Sequence, residues 1–326
     1  MSIKVLFIGG TGIISSGCAP LAVERGVDLY FLNRGNSTRE TPKGVTVLRG
    51  DIRDPQSVKA AIGDLQFDSV VDWVAFGTDH IKTDIELFRG RTKQFIFISS
   101  ASAYQTPPSA LPVTEGTTLS NPFWEYSRNK IACEDLLVAA YRDRGFPITI
   151  ARPSHTYDST LIPLDGGWTV LDRMRRGAPI VIHGDGTSLW TLTHARDFAR
   201  AFVGLLGNPH ALGSPVQITS DESLTWDAIA GLFAGALGVE PQIVHIASET
   251  IAAEVDYGDG LLGDKAHSVV FDNSRVKSLV PGWQATIPFA QGVHEIVDWH
   301  LADPSRQVVD AGLDAAYERL VAAHAH

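Results

Sequence analysis

Cysteine and long apolar runs are both scarce in this chain of 326 residues, and each scarcity excludes a class of protein. Only Cys18 and Cys133 occur, without C-x-x-C spacing or an obvious histidine partner, so both are expected to be buried free thiols. No apolar run approaches the roughly 20 residues that span a bilayer, and the N-terminus leads almost at once into a strand-like segment rather than a signal peptide. These features predict a cytoplasmic protein without a membrane partner.

Positive charge is also scarce. The chain has 27 basic and 37 acidic residues, a formal net charge of -10, and no basic stripe that would offset the repulsion of a phosphate backbone. Nucleic acid is therefore not an expected partner. The eleven histidines show no H-E-x-x-H or similar ligand spacing, so no metal site is predicted.

Short apolar runs rich in β-branched and aromatic residues alternate with helix-period stretches in the first half. This alternation is typical of a parallel sheet covered on both faces. Strands are predicted over 3–8, 28–32, 45–48, 69–76, 94–99 and 148–151, with helices that include 14–25 and 127–144.

Beyond residue 153 the loops lengthen and glycine pairs interrupt a mixture of elements. Helices are predicted over about 167–176, 195–206, 225–237 and 289–302, and brief strands over about 179–183, 216–219, 242–246 and 268–272. We therefore predict an α/β protein with a doubly wound parallel sheet over residues 1–153. Residues 154–326 are expected to form a smaller C-terminal α/β lobe that binds substrate and returns segments to the first sheet.

A glycine-rich turn follows the first strand, and a helix begins directly after it. In the stretch Gly9 to Ile13, with Thr11 and Gly12, backbone N–H groups and the helix dipole would face an anion such as a pyrophosphate. This context predicts an NAD(P)-binding domain of Rossmann type over 1–153. Ser15 replaces the third glycine of the G-x-x-G-x-x-G spacing, which predicts slightly looser packing of helix on strand.

The ends of the second and third strands bear on cofactor choice. Asn33 and Arg34 stand where an acidic residue usually binds the ribose 2′-hydroxyl of NAD. A guanidinium at this position can bind the 2′-phosphate of NADP, which favours NADP over NAD as the cofactor. The alternative is that Arg34 is a solvated surface residue. Asp51, followed by Ile52, would lie near the adenine amino group or else cap a helix.

Tyr126 and Lys130 lie four positions apart and therefore on one face of a helix. A neighbouring lysine lowers the pKa of a phenol, so that the tyrosine can exchange a proton with a substrate hydroxyl or carbonyl. Ser100 and Ser102, at the end of the strand over 94–99, supply exposed hydroxyls for the same site.

This combination resembles the short-chain dehydrogenase/reductase superfamily, in its extended branch of epimerases and dehydratases. The resemblance covers most of the chain and is carried by the glycine turn, Asp51, the strand end from Ser99 to Tyr104, Tyr126-x-x-x-Lys130, Arg152-Pro153, and the segments 184–186 and 194–197.

The resemblance implies a role for each matching residue. Ser100 would polarise the substrate oxygen, with Ser102 as its rival, Tyr126 would be the acid/base, and Lys130 would bind the nicotinamide ribose. Tyr126 is also assigned to the cofactor, and the remaining cofactor residues are Ala75, Pro153 and His155. Those assigned to substrate are Ser102, Trp124, His155, Trp190 and His267.

Two differences from the extended branch limit the activities expected of this chain. Only about eighteen residues separate Phe76 from Gln94, which indicates a trimmed relative of the extended branch. Ala101 and Ser102 stand where the sugar 4,6-dehydratases of the superfamily carry an Asp-Glu pair, so dehydration is not expected.

The sequence thus predicts an NAD(P)-dependent oxidoreductase or epimerase acting on a hydroxyl or keto carbon of a sugar-like substrate. The alternative is a non-catalytic, dinucleotide-binding regulatory or RNA-associated protein. The resemblance also implies a homodimer that packs through the helix carrying Tyr126 and Lys130. A nucleotide-diphosphate sugar is not the expected substrate, because Trp190 stands where the related epimerases place a diphosphate-binding arginine.

Overall fold

A computed structural model describes residues 2–324. Its strands are β1 (Lys4–Ile8), β2 (Asp28–Asn33), β3 (Thr46–Arg49), β4 (Ser69–Asp72), β5 (Phe95–Ile98), β6 (Ile148–Pro153), β7 (His155–Tyr157), β8 (Ile180–His183), β9 (Leu189–Trp190), β10 (Leu192–His194), β11 (Pro215–Ile218), β12 (Leu224–Thr225) and β13 (Ile243–Ile246). Its helices are α1 (Ile13–Glu24), α2 (Pro55–Ile62), α3 (Thr78–Phe88), α4 (Glu125–Arg144), α5 (Trp168–Arg175), α6 (Ala195–Leu205), α7 (Trp226–Leu237), α8 (Ser248–Ala252), α9 (Gly258–Gly260), α10 (Ser274–Leu279), α11 (Phe289–Leu301) and α12 (Ala311–His324).

Seven parallel strands form the central sheet, in the order β11-β6-β5-β4-β1-β2-β3. Every residue of β4, β5 and β6 is buried, because helices cover both faces. One apolar cluster joins the sheet to α1 and α6, and a second joins it to α2, α3 and α4. The predicted doubly wound Rossmann-type sheet is confirmed.

The later part of the chain has its own apolar core. This third cluster gathers residues of α5, β8, α7, α11 and α12. Among residues 154–324, only β11 joins the central sheet, beside β6. The division at residue 153 stays a prediction. Within the described chain, each helix is too short or too polar to cross a membrane, and Cys18 and Cys133 are buried free thiols, as predicted.

Two predicted strands need correction. The strand predicted over 69–76 ends at Asp72, because the carboxylate of Asp72 accepts a hydrogen bond from the Val74 N–H and turns the chain out of the sheet. The segment 268–272 is not a strand. It bonds to Leu189 and to Val113, one residue on each of two different segments, so no ladder forms. Helix α12 had no counterpart in the sequence prediction.

Candidate functional site

The glycine turn after β1 has backbone angles that other residues rarely adopt. Gly9 and Gly10 have φ of +95° and +104°, and a Cβ on Gly10 would lie 2.8 Å from the ring of Phe31. Gly12 caps the start of α1, whose first turn contains no acidic residue. The turn therefore presents a helix N-terminus suited to an anion at the carboxyl edge of the sheet.

Ser15 strengthens this turn. Its hydroxyl accepts a hydrogen bond from the Gly12 N–H at 2.9 Å, and the side chain is only 1% exposed. The serine thus adds a hydrogen bond to the turn. Helix α1 packs closely on α6, because a Cβ on Gly17 would lie 3.0 Å from the carbonyl oxygen of Ala195. The looser packing of α1 on the strand stays a prediction.

A groove of about 1140 Å³, open to solvent, continues from this turn along the ends of β1, β2 and β3. Six of the predicted cofactor residues line it: Gly9, Thr11, Asn33, Arg34, Asp51 and Ile52. Three arginines that were not predicted line it as well: Arg39, Arg49 and Arg53. The groove thus combines the helix N-terminus with four guanidinium groups, which suits a phosphorylated ligand.

Arg34 and Arg49 lie at the same end of the sheet. Arg34 is exposed, with its guanidinium 4.0 Å from the Asp51 carboxylate, and Arg49 donates to the Asn33 side chain at 3.1 Å. Strand pairing sets Asn33 opposite Arg49, which is the signal that could have identified Arg49. Arg39 is engaged elsewhere, because it donates to Asp158 at 2.7 Å.

A second cleft, with about 750 Å³ of space open to solvent, lies beyond the ends of β5 and β6. It collects these residues of the predicted site: Ser100, Ser102, Trp124, Tyr126, Pro153, His155 and Trp190. His267 is not among the residues that line this cleft, and its assignment to substrate stays a prediction. Asp264 and Phe271, from distant parts of the chain, line the cleft and were not predicted. We call this space the substrate cleft.

Ser100 and Ser102 belong to one hydrogen-bonded chain. The Ser100 hydroxyl accepts from the Ser102 N–H at 3.1 Å and lies 2.9 Å from the Ser102 hydroxyl, which accepts from Ser127 at 2.8 Å. Tyr126 lines the same cleft, and the Ser100 side chain is close enough to lower its pKa. The structure therefore places both candidate serines and the tyrosine on one cleft wall.

Burial dominates the electrostatics of Tyr126. Removal from solvent raises the pKa of Tyr126 to about 12, the interaction with the Ser100 side chain opposes this rise, and the Asp264 carboxylate adds to it. The sequence predicted that Lys130 would lower this pKa. The net shift of the Tyr126 pKa is upward instead, because loss of hydration outweighs the interaction with Ser100.

Lys130 lies beneath the tyrosine with its ammonium group engaged. Nζ donates to the carbonyl oxygens of Ala75 and Ile98, each at 2.8 Å, and lies 5.6 Å from the centre of the Tyr126 ring. Burial lowers the pKa of Lys130 to about 8, and Asp72 opposes this. Ala75, predicted as a cofactor residue, is fully buried, and its carbonyl holds Lys130.

A buried ion pair joins α4 to β6 behind these residues. Arg152 donates to Glu134 at 2.9 Å through Nε, and the Ser99 hydroxyl donates to the same carboxylate at 2.5 Å. Since Glu134 lies one turn after Lys130, and Ser99 directly precedes Ser100, this pair fixes the helix against the strand end.

His155 and Trp190 form apolar parts of the cleft wall. Burial lowers the pKa of His155 to about 3, so the ring is neutral, and its Nε2 atom has no hydrogen-bond partner in the described chain. The ring of Trp190 packs 5.5 Å from that of Trp226 and is 5% exposed.

The seven-stranded parallel sheet and the glycine turn after β1 define a Rossmann-type fold of the short-chain dehydrogenase/reductase type. The chain belongs to the NAD dependent epimerase/dehydratase family, whose model matches residues 5–218.

Known proteins from several functional classes are similar to this chain. It is 27% identical over 289 residues to the 2'-dehydrokanamycin reductase of Streptomyces kanamyceticus. This alignment covers 87% of this chain and 80% of that protein. It is 25% identical over 304 residues to the chloroplast stem-loop binding protein of 41 kDa b of Arabidopsis thaliana, 89% of this chain and 77% of that protein. The structure of dTDP-glucose 4,6-dehydratase from Bacillus anthracis in complex with NAD superimposes with a TM-score of 0.76 at 16% identity, covering 94% and 98% of the two chains.

Proposed function

We propose that this protein is an NAD(P)-dependent oxidoreductase or epimerase that acts on a hydroxyl or keto carbon of a sugar-like substrate. The observation that carries the proposal is the meeting of Ser100 and Tyr126 on the wall of the substrate cleft, above the buried ammonium of Lys130. Hydroxyl, phenol and ammonium are the three groups that such chemistry needs in one place.

A nicotinamide dinucleotide, when bound, supplies or accepts the hydride. The groove along β1 to β3 fits this group, because it joins a helix N-terminus to the guanidinium groups of Arg34 and Arg49. Ser100 donates a hydrogen bond to the substrate oxygen, and Tyr126 gives its phenolic proton to that oxygen during reduction or takes one during oxidation. Lys130 keeps a positive charge beneath the phenolic ring and offers its ammonium to the cofactor ribose.

NADP is the preferred cofactor in this proposal. Arg34 and Arg49 both line the groove at the end of the sheet where the adenosine ribose would bind, and Asn33 stands at the end of β2, where NAD sites typically carry a carboxylate. Two guanidinium groups can form charge-assisted hydrogen bonds with a 2′-phosphate.

The proposed substrate is a carbohydrate that lacks a diphosphate. Among the described residues, those that line the substrate cleft include no lysine or arginine, and Trp190 occupies the predicted place of the diphosphate-binding arginine. Similarity to a reductase named for 2'-dehydrokanamycin favours net reduction of a ketone over epimerisation.

Similarity to a chloroplast stem-loop binding protein supports one alternative, an RNA-associated function without catalysis. The net charge of -10 opposes RNA binding, because each uncompensated acidic group repels the phosphate backbone. A filter-binding assay with structured RNA at low salt separates the two functions. Binding at nanomolar concentration, together with absence of turnover, would favour the alternative.

The decisive experiment is Tyr126→Phe, assayed as NADPH oxidation with keto sugars and as NADP reduction with the corresponding alcohols. Loss of a positioned acid/base should lower turnover by roughly two to four orders of magnitude while cofactor affinity stays within about twofold. Tyr141→Phe is the matched control, because Tyr141 lies on the same helix and is 39% exposed. Unchanged turnover in Tyr126→Phe would exclude the proposed acid/base.

A further inference from the structure

Asp264 is the one carboxylate that lines the substrate cleft within the described chain, and the proposed mechanism does not use it. The cleft wall holds no lysine or arginine there, and its one histidine, His155, is neutral. A substrate in this cleft therefore meets a single anionic group among hydroxyls and aromatic rings.

Hydrogen bonds on both sides fix the position of Asp264. It belongs to a one-turn π-helix, Leu261–Lys265, a rare geometry that is frequent at functional sites. The carbonyl of Gly263 accepts from Asn121 at 2.6 Å, and the carbonyl of Lys265 lies 3.1 Å from Nε2 of His183. Gly263 also packs against Trp124 so closely that a Cβ would lie 2.7 Å from the Trp124 Cβ.

The carboxylate itself forms no hydrogen bond within residues 2–324. The positive charge that acts on its pKa, Lys265, forms an ion pair with Asp165 at 3.2 Å. Its charge acts on the catalytic centre, because it contributes to the raised pKa of Tyr126. An unpartnered acid that disfavours ionisation of the proposed acid/base is unfavourable for catalysis unless a bound group neutralises it.

We propose that Asp264 binds a protonated amino group of the substrate, so that the substrate class is amino sugars whose reacting carbon lies near the amine. This inference rests on the proposed function. An ammonium at Asp264 completes a charge-assisted hydrogen bond and removes the repulsion that Asp264 exerts on the ionised form of Tyr126.

The same arrangement gives substrate binding a pH dependence. Burial raises the pKa of Asp264 to about 7, Lys265 opposes this and Asp165 adds to it. The carboxylate is ionised above that pH, so affinity for a strongly basic amine should increase between about pH 6 and pH 8. The N-acetylated sugar, which carries no charge, should show no such increase.

Saturation-transfer NMR on the full chain tests the inference without depending on turnover. The probes are 2-, 3- and 6-amino-deoxyglucose, their N-acetyl derivatives, glucose and UDP-glucose. At least one amine should bind roughly 10- to 100-fold more tightly than its N-acetyl derivative, which is the effect of one charge-assisted contact. Asp264→Asn should remove this preference.

Asp185→Asn is the matched control, since it removes the same charge from an exposed turn outside the cleft, and it should keep the preference. An amine preference that persists in folded Asp264→Asn would overturn the assignment, and so would a wild-type protein that binds amine and N-acetyl sugars equally. The second result does not require a folded variant. Failure of the proposed function would appear separately, as full turnover in Tyr126→Phe.

Discussion

Removal of Glu134 should be among the most destabilising single changes in this chain. Glu134 and Arg152 are 3% and 4% exposed as side chains, and they form two hydrogen bonds with each other. Arg152 also lies over the ring of Tyr104, 4.8 Å from its centre, and the pKa of Arg152 is raised because Glu134 stabilises its charged form. Glu134→Gln leaves this guanidinium buried without its counter-charge.

The magnitude follows from the burial. Breaking a buried ion pair by removing one partner costs about 3–5 kcal/mol, because the remaining charge has lost hydration without compensation. Unfolding entropy of roughly 2.1 cal/mol/K per residue gives about 0.7 kcal/mol/K for 326 residues. The expected decrease in Tm is therefore about 4–7 °C.

Thermal unfolding followed by circular dichroism measures this decrease. Asp135→Asn is the matched control, because it removes an adjacent but exposed acid and should shift Tm by less than about 1 °C. The double variant Glu134→Leu, Arg152→Met should recover most of the loss, since apolar residues of similar size replace both charges. A single variant as stable as wild type, or a double variant as unstable as the single one, would refute the reasoning.

Three further predictions concern the cofactor, the core and the assembly. Arg34→Ala should weaken NADP by roughly 10-fold and leave NAD nearly unchanged, and equal losses in calorimetry would make Arg34 a bystander. Burial and neighbouring Asp72 raise the pKa of Asp84 well above its ordinary value. The folded state therefore holds a proton that the unfolded state releases, and the free energy of unfolding falls as pH increases above about 4. Asp84→Asn should consequently have a higher Tm than wild type at pH 8 and lose this advantage towards pH 4, whereas a constant difference would contradict the assignment. Sedimentation equilibrium should show a homodimer, although Cys133 and Leu137 on α4 are committed to the chain's own core, and a monomer at working concentration would refute it.

Elements with a strong local signal were predicted from the sequence. The apolar runs of the central sheet needed no knowledge of the fold, because strands buried on both faces are continuously apolar. The segment 268–272 has a similar composition and is not a strand, because it meets single residues of two different segments instead of a neighbouring ladder. Composition predicts that a segment can adopt the extended conformation of a strand. Only the tertiary structure decides whether a partner strand exists.

The same distinction separates the predicted and missed parts of the site. Tyr126 and Lys130 were identified because helical spacing alone places them on one face. Asp264 does not lie at this four-residue helical spacing from any other site residue, and a one-turn π-helix has no periodic signal in the sequence. Arg49 and Asp84 were missed for a related reason. The position of Arg49 opposite Asn33 depends on strand register, and the raised pKa of Asp84 depends on its burial and on neighbouring Asp72.

The choice between Ser100 and Ser102 also changes once the structure is known. The sequence presents two rival hydroxyls for one role, but the two oxygens lie 2.9 Å apart, and the Ser102 N–H donates to Ser100. Ser102 also accepts from Ser127, so its own proton is available to Ser100, which leaves the Ser100 proton free for the substrate oxygen. Removing Ser102 therefore weakens the donor at Ser100 without removing it. In the proposed mechanism the two serines therefore act in series along one hydrogen-bonded chain, an arrangement that residue spacing alone could not distinguish from competition.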